Sequence, residues 1–226
     1  MTYATRDDCL QLDSKDQLSS FRQEFEIADG LIYLDGNSLG VLPVATKSRL
    51  KEAVVDEWGQ DLIKSWNKHG WMHLPVRVGD KLAALIGAGN GQVVACDSTS
   101  VNVYKVVSAA LKLQTGRTKV ISDPGNFPTD LYMVQGIAEQ IGADKCQLEL
   151  VTPDAVIDAI DDTTALVMLT QVDFRTGRIY DMDAITKAAH AKGALVCWDL
   201  CHSAGAIPVA LDDCNVDFAV GCGYKY

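Results

Sequence analysis

The chain has 226 residues, of which 48% are hydrophobic and 22% charged, a balance typical of a folded globular protein rather than a disordered one. Its formal net charge of -10 disfavours a nucleic-acid backbone or an anionic membrane as the main partner. The sequence shows neither an apolar stretch long enough to predict a membrane-spanning helix nor the pattern of a secretory signal.

The seven cysteines are scattered along the chain and odd in number, which does not resemble a disulfide framework. We therefore expect free thiols and a cytoplasmic protein. Cys197, Cys201 and His202 are close enough in sequence to suggest a metal site. A zinc site needs a matched second pair of ligands, so buried thiols near a strand end are the favoured interpretation, and we predict no metal.

The first 90 residues predict an N-terminal arm and a helical layer. A short apolar run at 32–34 leads into a turn-rich loop at 35–40. Pro43 is expected to begin a helix that extends to about Trp58, and a second helix is expected at about 75–86. We accordingly divide the chain into residues 1–90 and residues 91–226, the second part being the one expected to contain the sheet.

From residue 91 onward, short β-branched runs alternate with segments of helical spacing. Strands are predicted at 92–96, 118–122, 165–169, 194–198 and 216–220. Helices are predicted at 101–113, 130–141, about 153–160 and 183–191. This alternation is typical of βαβ units, so we predict an α/β fold with a mostly parallel sheet and helices on both faces.

Two charged residues follow predicted strands at the edge where ligands meet a parallel sheet. Asp199 follows the strand at 194–198, and Lys225 follows the strand at 216–220. Taken singly, Asp199 would be a helix cap or a loop acid, and Lys225 would be a lysine extending from a strand end. A partly desolvated lysine would instead favour Schiff-base chemistry.

The segment 97–100, Asp-Ser-Thr-Ser, lies between a predicted strand and a predicted helix. Its hydroxyls would serve as N-caps or as phosphate ligands, because a helix N-terminus presents free N–H groups and the positive end of its dipole. A strand-end Asp, a strand-end Lys 26 residues later and a hydroxyl-rich helix N-terminus together predict a pyridoxal phosphate site. The lysine would hold the aldehyde, the aspartate the pyridine nitrogen, and the helix the phosphate.

Five segments support a family resemblance: YLDGNSLG at 33–40, TSVN at 99–102, NFPTD at 126–130, DLCH at 199–202 and GYKY at 223–226. With them the chain resembles kynureninase, a family of fold-type I pyridoxal phosphate enzymes related to the class V aminotransferases. The resemblance covers nearly the whole chain. It implies the large domain of the fold-type I transferase-like architecture, truncated at the C-terminus.

The resemblance also implies site residues. Lys225 matches the Schiff-base lysine, Asp199 the partner of the pyridine nitrogen, and Tyr224 a phosphate ligand that could also transfer protons. The other implied cofactor contacts are Thr99, Ser100, Phe127, Pro128, Thr129, Asp130, Thr170 and His202, with Phe127 stacking on the cofactor ring. Ser38 and Trp66 match positions that shape the substrate pocket, although Trp66 could equally serve in helix packing.

The implied reaction is the pyridoxal phosphate-dependent hydrolysis of L-kynurenine or 3-hydroxykynurenine to anthranilate or 3-hydroxyanthranilate and L-alanine. This carbon–carbon bond hydrolase would act as a homodimer in tryptophan catabolism and NAD biosynthesis. Another fold-type I enzyme, such as a cysteine desulfurase or a class V aminotransferase, and a non-enzymatic fragment stay open as alternatives. Because family members are longer, we expect this chain to be an inactive fragment without the arginine that holds the substrate carboxylate.

Overall fold

A computed structural model describes residues 5–225 of the chain. The chain forms two compact units, Met1–Met72 and His73–Tyr226. The second unit contains all the strands of the described sheet. The division of the chain into residues 1–90 and residues 91–226 stays a prediction.

The first unit is helical. Its elements are α1 (Arg6–Asp13), a 3-10 helix (Ser19–Glu24), α2 (Val44–Lys51), a π-helix (Glu52–Asp61), a 3-10 helix (Leu62–Lys64) and α3 (Ser65–Lys68). The helix predicted at 43–58 is present as α2 and the π-helix that continues it. The π-helical segment contains the buried Glu57, whose carboxylate accepts from Trp71 Nε1 at 2.5 Å and pairs with Arg49 at 2.8 Å.

The second unit contains a five-stranded parallel sheet, which confirms the predicted fold class. The strands are β1 (Lys119–Ser122), β2 (Gln147–Leu150), β3 (Thr164–Thr170), β4 (Leu195–Asp199) and β5 (Phe218–Val220). Their order across the sheet is β2-β1-β3-β4-β5, and each neighbouring pair is parallel. All carboxyl ends therefore lie at one edge of the sheet.

Helices cover both faces of this sheet. They are α4 (Leu74–Ile86), α5 (Thr99–Leu113), α6 (Pro128–Ile141), α7 (Val156–Ala159) and α8 (Met182–Ala191), with a 3-10 helix at Pro153–Ala155. Another 3-10 helix, Trp71–His73, spans the boundary between the two units in the sequence. Within residues 5–225, no helix combines the length and apolar character that crossing a bilayer requires.

Successive strand residues enter two different cores because side chains alternate between the faces of a strand. Leu166 and Met168 of β3 pack in one core with residues of α5 and α6, such as Val103 and Val134. Val167 and Leu169 pack in the other, together with Trp198 and residues of α7 and α8. Because both faces of the sheet are buried against helices, the central strands are nearly continuous apolar runs in the sequence.

Two details of the predicted sheet are wrong. The segment 92–96 is not a strand, because its backbone packs against α4, where Ala95 N donates to Pro75 O at 3.1 Å. The edge strand β2 was not predicted. Its residues are mostly exposed and alternate between polar and apolar (Gln147-Leu148-Glu149-Leu150), so they lack the continuous apolar run of the central strands.

The close approach of 92–96 to α4 makes Gly79 sensitive to substitution. A Cβ at Gly79 would meet Val93 O at 1.9 Å. We expect Gly79→Ala to lower the free energy of unfolding by about 1–3 kcal/mol, as overpacking does. Gly136 of α6 is the matched control, since nothing lies within 4 Å of a Cβ there. Gly136→Ala should stabilise by about 0.5–1 kcal/mol in the same urea titration, and destabilisation of equal size in both variants would contradict the steric explanation.

Candidate active site

The candidate site lies at the carboxyl edge of the sheet. Asp199 ends β4, and its register partners are Thr170 at the end of β3 and Val220 at the end of β5. Lys225 follows β5 and is buried, with 8% of its surface exposed. The parallel topology therefore brings together side chains that are far apart in sequence, as the strand-end pattern predicted.

Asp199 is held in place by hydrogen bonds. Its side chain is almost fully buried, and it accepts from Cys201 N at 2.8 Å and from the Thr170 hydroxyl at 3.2 Å. The same hydroxyl also lies against Asn126 Oδ1. Asn126 Nδ2 in turn donates to Ser122 Oγ at 3.1 Å. This network fixes the orientation of a buried carboxylate, which would otherwise be costly to remove from water.

Asp130, in the first turn of α6, is a second buried carboxyl group beside Asp199. Burial, and then the charge of Asp199, raise the pKa of Asp130 to about 8. The two like charges would repel in a site of low polarity, so Asp130 keeps its proton at neutral pH. Protonated Asp130 is therefore a neutral hydrogen-bond donor at this edge of the sheet.

The raised pKa of Asp130 predicts how stability changes with pH in the cofactor-free protein. Unfolded Asp130 ionises near pH 4, whereas the folded protein keeps the proton to about pH 8. The folded state binds more protons in this window, so Asp130 makes the protein less stable as pH rises, by up to about 1.4 kcal/mol per pH unit. We expect Asp130→Asn to remove this dependence in urea titrations at several pH values.

The pH profile of Asp130→Asn must be compared with that of the parent protein, because His202 also makes stability depend on pH. Its lowered pKa has the opposite effect, since stability is lost as pH falls through the range where unfolded histidine gains its proton. His202 is present in both proteins, so the difference between their profiles isolates Asp130. Identical slopes for Asp130→Asn and the parent would contradict the assignment of a buried, protonated Asp130.

Lys225 and His202 form a direct contact. Lys225 Nζ lies 2.7 Å from His202 Nε2, and both residues are buried. Burial, and then the charge of Lys225, lower the pKa of His202. A neutral imidazole with its proton on Nδ1 can accept from the lysine through Nε2. The structure thus places the amine beside a base that is uncharged at neutral pH.

Aromatic rings surround the amine. Lys225 Nζ lies 6.0 Å from the centre of the Phe127 ring and 5.7 Å from that of Tyr224, whose side chain is exposed. Phe174 joins the group, with its ring centre 5.5 Å from Phe127 and 5.9 Å from His202. Phe127 directly precedes α6, and Pro128 and Thr129 are the first residues of that helix.

The N-terminus of α5 lies close to the end of β5. Ser98 is the N-cap, and its hydroxyl accepts from Val101 N at 3.4 Å. Thr99 and Ser100 therefore occupy the first helical positions, whose N–H groups have no partner within the helix. The Thr99 hydroxyl donates to Gly221 O at 3.0 Å, which ties the helix end to the chain that leads to Lys225. Ser98 therefore has the capping role, and phosphate binding by Thr99 and Ser100 stays a prediction.

The substrate residues predicted from the resemblance lie in the first unit. Ser38 is an exposed turn residue whose N–H bonds to Asp35 O at 3.0 Å. Trp66 packs edge to face with Trp71, with ring centres 6.3 Å apart, which is the packing alternative. Their roles toward a substrate stay predictions.

The three residues considered for a metal have different surroundings. Cys197 lies in the apolar core with α5 and α6, whereas His202 contacts Lys225. Cys201 Sγ lies 3.6 Å from the Thr99 hydroxyl. Among residues 5–225, no group of three or more His, Cys, Asp or Glu side chains is arranged to hold a metal ion.

Sequence reasoning did not assign three residues that the structure places in this site. Asn126 and Ser122 orient Thr170, and Phe174 packs edge to face against Phe127. All three lie in or just beyond strands β1 and β3. The strand-end rule that identified Asp199 and Lys225 would have identified them too, had it been applied to every strand.

Comparisons with known proteins agree with this architecture. The protein family described as aminotransferase class-V matches residues 74–226. A kynureninase from Pseudomonas fluorescens is 48% identical over 98% of this chain and 54% of its own length. A kynureninase from Burkholderia pseudomallei (strain 1106a) is 46% identical over the same shares. The chain thus spans about half the length of the curated relatives it matches.

Solved structures show the same fold at low sequence identity. A cysteine desulfurase from Thermococcus onnurineus NA1 superposes with a TM-score of 0.73 at 20% identity, covering 91% of this chain and 53% of that one. The cysteine desulfurase CsdA from Escherichia coli gives a TM-score of 0.72 at 18% identity, covering 93% and 55%. At these identities the similarity shows the fold alone.

Proposed function

Because the chain belongs to the class-V aminotransferase family, we propose that the protein binds pyridoxal phosphate and acts as a kynureninase. It would hydrolyse L-kynurenine or 3-hydroxykynurenine to anthranilate or 3-hydroxyanthranilate and L-alanine. The observation that carries the choice of reaction is the 48% identity to a kynureninase over 98% of the chain. The structural neighbours named as cysteine desulfurases are far less similar in sequence.

The described residues fit the proposed cofactor. The buried atoms Asp130 Oδ2 and His202 Nδ1 have no hydrogen-bond partner within the described part of the chain. Buried polar atoms without a partner are costly, so such atoms at a site edge are consistent with a polar ligand. The free N–H groups of Thr99 and Ser100 at the start of α5 suit the phosphate of that ligand.

Pyridoxal phosphate, when bound, supplies an aldehyde that attaches amines and a ring that accepts the electrons of a carbanion. Lys225 would hold the aldehyde and, once released by the substrate amine, take the Cα proton as a general base. Neutral His202 can accept a hydrogen bond from the lysine at Nε2, 2.7 Å away, and so orient the amine. Asp199 would hold the pyridine nitrogen, with Thr170 and Cys201 N keeping its carboxylate oriented.

The remaining assignments belong to the same proposal. Phe127 would lie against the cofactor ring, with Pro128, Thr129 and Asp130 continuing that wall. Tyr224 would bind the phosphate and could transfer protons. Ser38 and Trp66 would shape the substrate pocket. We also propose a cytoplasmic homodimer in tryptophan catabolism and NAD biosynthesis.

The test is an assay of the complete gene product with pyridoxal phosphate. Addition of L-kynurenine should release fluorescent anthranilate and L-alanine in equal amounts. L-cysteine is the matched second substrate, and sulfur release from it without anthranilate from kynurenine would favour a cysteine desulfurase instead. A protein that binds the cofactor but converts neither substrate would also contradict the proposed reaction.

A further inference from the structure

Cys201 and Cys222 both follow strands at the carboxyl edge of the sheet, and their thiol groups have no part in the proposed reaction. Cys201 and Cys222 each lie two residues beyond a register pair, Asp199 of β4 and Val220 of β5. Leu200 N donates to Val220 O at 2.8 Å, so the segments that follow β4 and β5 are still hydrogen-bonded where the strands end. Neighbouring strands are about 4.8 Å apart, within the range of about 4.4–6.8 Å between the Cα atoms of a disulfide.

The two thiols interact with each other. Each thiol is the largest cause of the change in the other's pKa, which is lowered for Cys222 and raised for Cys201. Cys222 is half-buried, whereas Cys201 is buried. The lowered pKa favours the thiolate, the nucleophilic form, at Cys222, and the raised pKa favours the protonated thiol at Cys201.

We propose that Cys201 and Cys222 are a redox-sensitive pair that forms a reversible disulfide on exposure to a peroxide. The Cys222 thiolate attacks one oxygen of hydrogen peroxide, the O–O bond breaks, hydroxide leaves, and a sulfenic acid forms. Cys201 then loses its proton and attacks the Cys222 sulfur, and the hydroxyl leaves as water. Two thiols and one peroxide give one disulfide and two waters, and a dithiol reductant reverses the change.

The surroundings of the other cysteines differ. Cys146 and Cys197 lie in the core between the sheet and helices α5 and α6, where burial raises the pKa of each thiol. Cys9 and Cys96 are exposed. A disulfide between Cys201 and Cys222 would join the ends of β4 and β5 directly below Thr99, whose hydroxyl contacts both Cys201 Sγ and Gly221 O.

The test is a peptide map of the cofactor-free chain. The protein is treated with one equivalent of hydrogen peroxide, free thiols are blocked with N-ethylmaleimide, and a protease that cleaves before aspartate is applied without reduction. The sequence then places Cys201 on peptide 199–211, Cys222 on 217–226, Cys214 on 213–216 and Cys197 on 183–198.

We expect peptides 199–211 and 217–226 to be joined, lighter by two hydrogens than their sum, and separated by dithiothreitol. The chain should lose two of its seven titratable thiols. Cys96→Ser should leave the link in place, and Cys201→Ser should abolish it and leave Cys222 singly oxidised. If Cys201→Ser does not fold, the peptide map of the parent protein still shows whether peptides 199–211 and 217–226 are joined.

A link from Cys222 to peptide 213–216 or 183–198 would overturn the proposal. So would full N-ethylmaleimide labelling of both Cys201 and Cys222 while Cys96 is oxidised. The experiment needs neither pyridoxal phosphate nor turnover, so its failure is distinct from failure of the proposed function.

Discussion

Lys225→Ala is expected to abolish covalent capture of pyridoxal phosphate. The parent protein should develop a visible absorbance band when the cofactor is added, because the buried amine can attach the aldehyde. The variant should show only the spectrum of free pyridoxal phosphate. In the complete gene product, kcat/KM for kynurenine should fall by at least about a thousandfold, since loss of a general base alone typically costs about 10²–10⁴.

Lys187→Ala is the matched control for this experiment. Lys187 is an exposed lysine of α8 that pairs with Asp183 at 2.7 Å, on an element outside the site. The Lys187→Ala variant should keep both the visible absorbance band and the activity of the parent. A band that persists in Lys225→Ala but not in Lys187→Ala would show that the cofactor attaches to a surface amine, which contradicts the role proposed for Lys225.

Asp199→Asn is expected to separate cofactor binding from catalysis. Asparagine keeps an oxygen that can accept from Cys201 N, so the free energy of unfolding should change by no more than about 1 kcal/mol. Lys225 is intact, so the absorbance band should remain. The variant loses the negative charge that we propose holds the ring nitrogen, so kcat should fall by about 10²–10³, the usual cost of removing one electrostatic contact from a transition state.

Asp217→Asn provides the comparison at the other edge of the sheet. Asp217 precedes β5 and, like Asp199, accepts from a backbone N–H, that of Val196 at 2.8 Å. The Asp217→Asn variant should lose about as much free energy of unfolding as Asp199→Asn does, but it should keep the activity of the parent. Equal activity losses in the two variants would mean that general weakening of the sheet, rather than the charge of Asp199, explains the effect.

Local sequence determined the elements of the second unit to a large extent. The central strands are apolar on both faces because helices cover both, and such runs are recognisable without knowing their neighbours. The parallel arrangement follows from their alternation with helices, and it requires Asp199 and Lys225 to share one edge of the sheet. The edge strand β2 was missed since it buries little, and 92–96 was misassigned because an apolar run can pack on a helix instead.

Only the tertiary structure decided which side chains meet at that edge. The pKa of Asp130 is raised because α6 places this carboxyl group beside Asp199, far away in the chain. Cys201 and Cys222 are unrelated members of a scattered set in the sequence, whereas the pairing of Asp199 with Val220 brings together the segments that carry them. Residue type and spacing determined the strands and their polar ends, whereas burial and charge at each side chain depend on neighbours that only folding supplies.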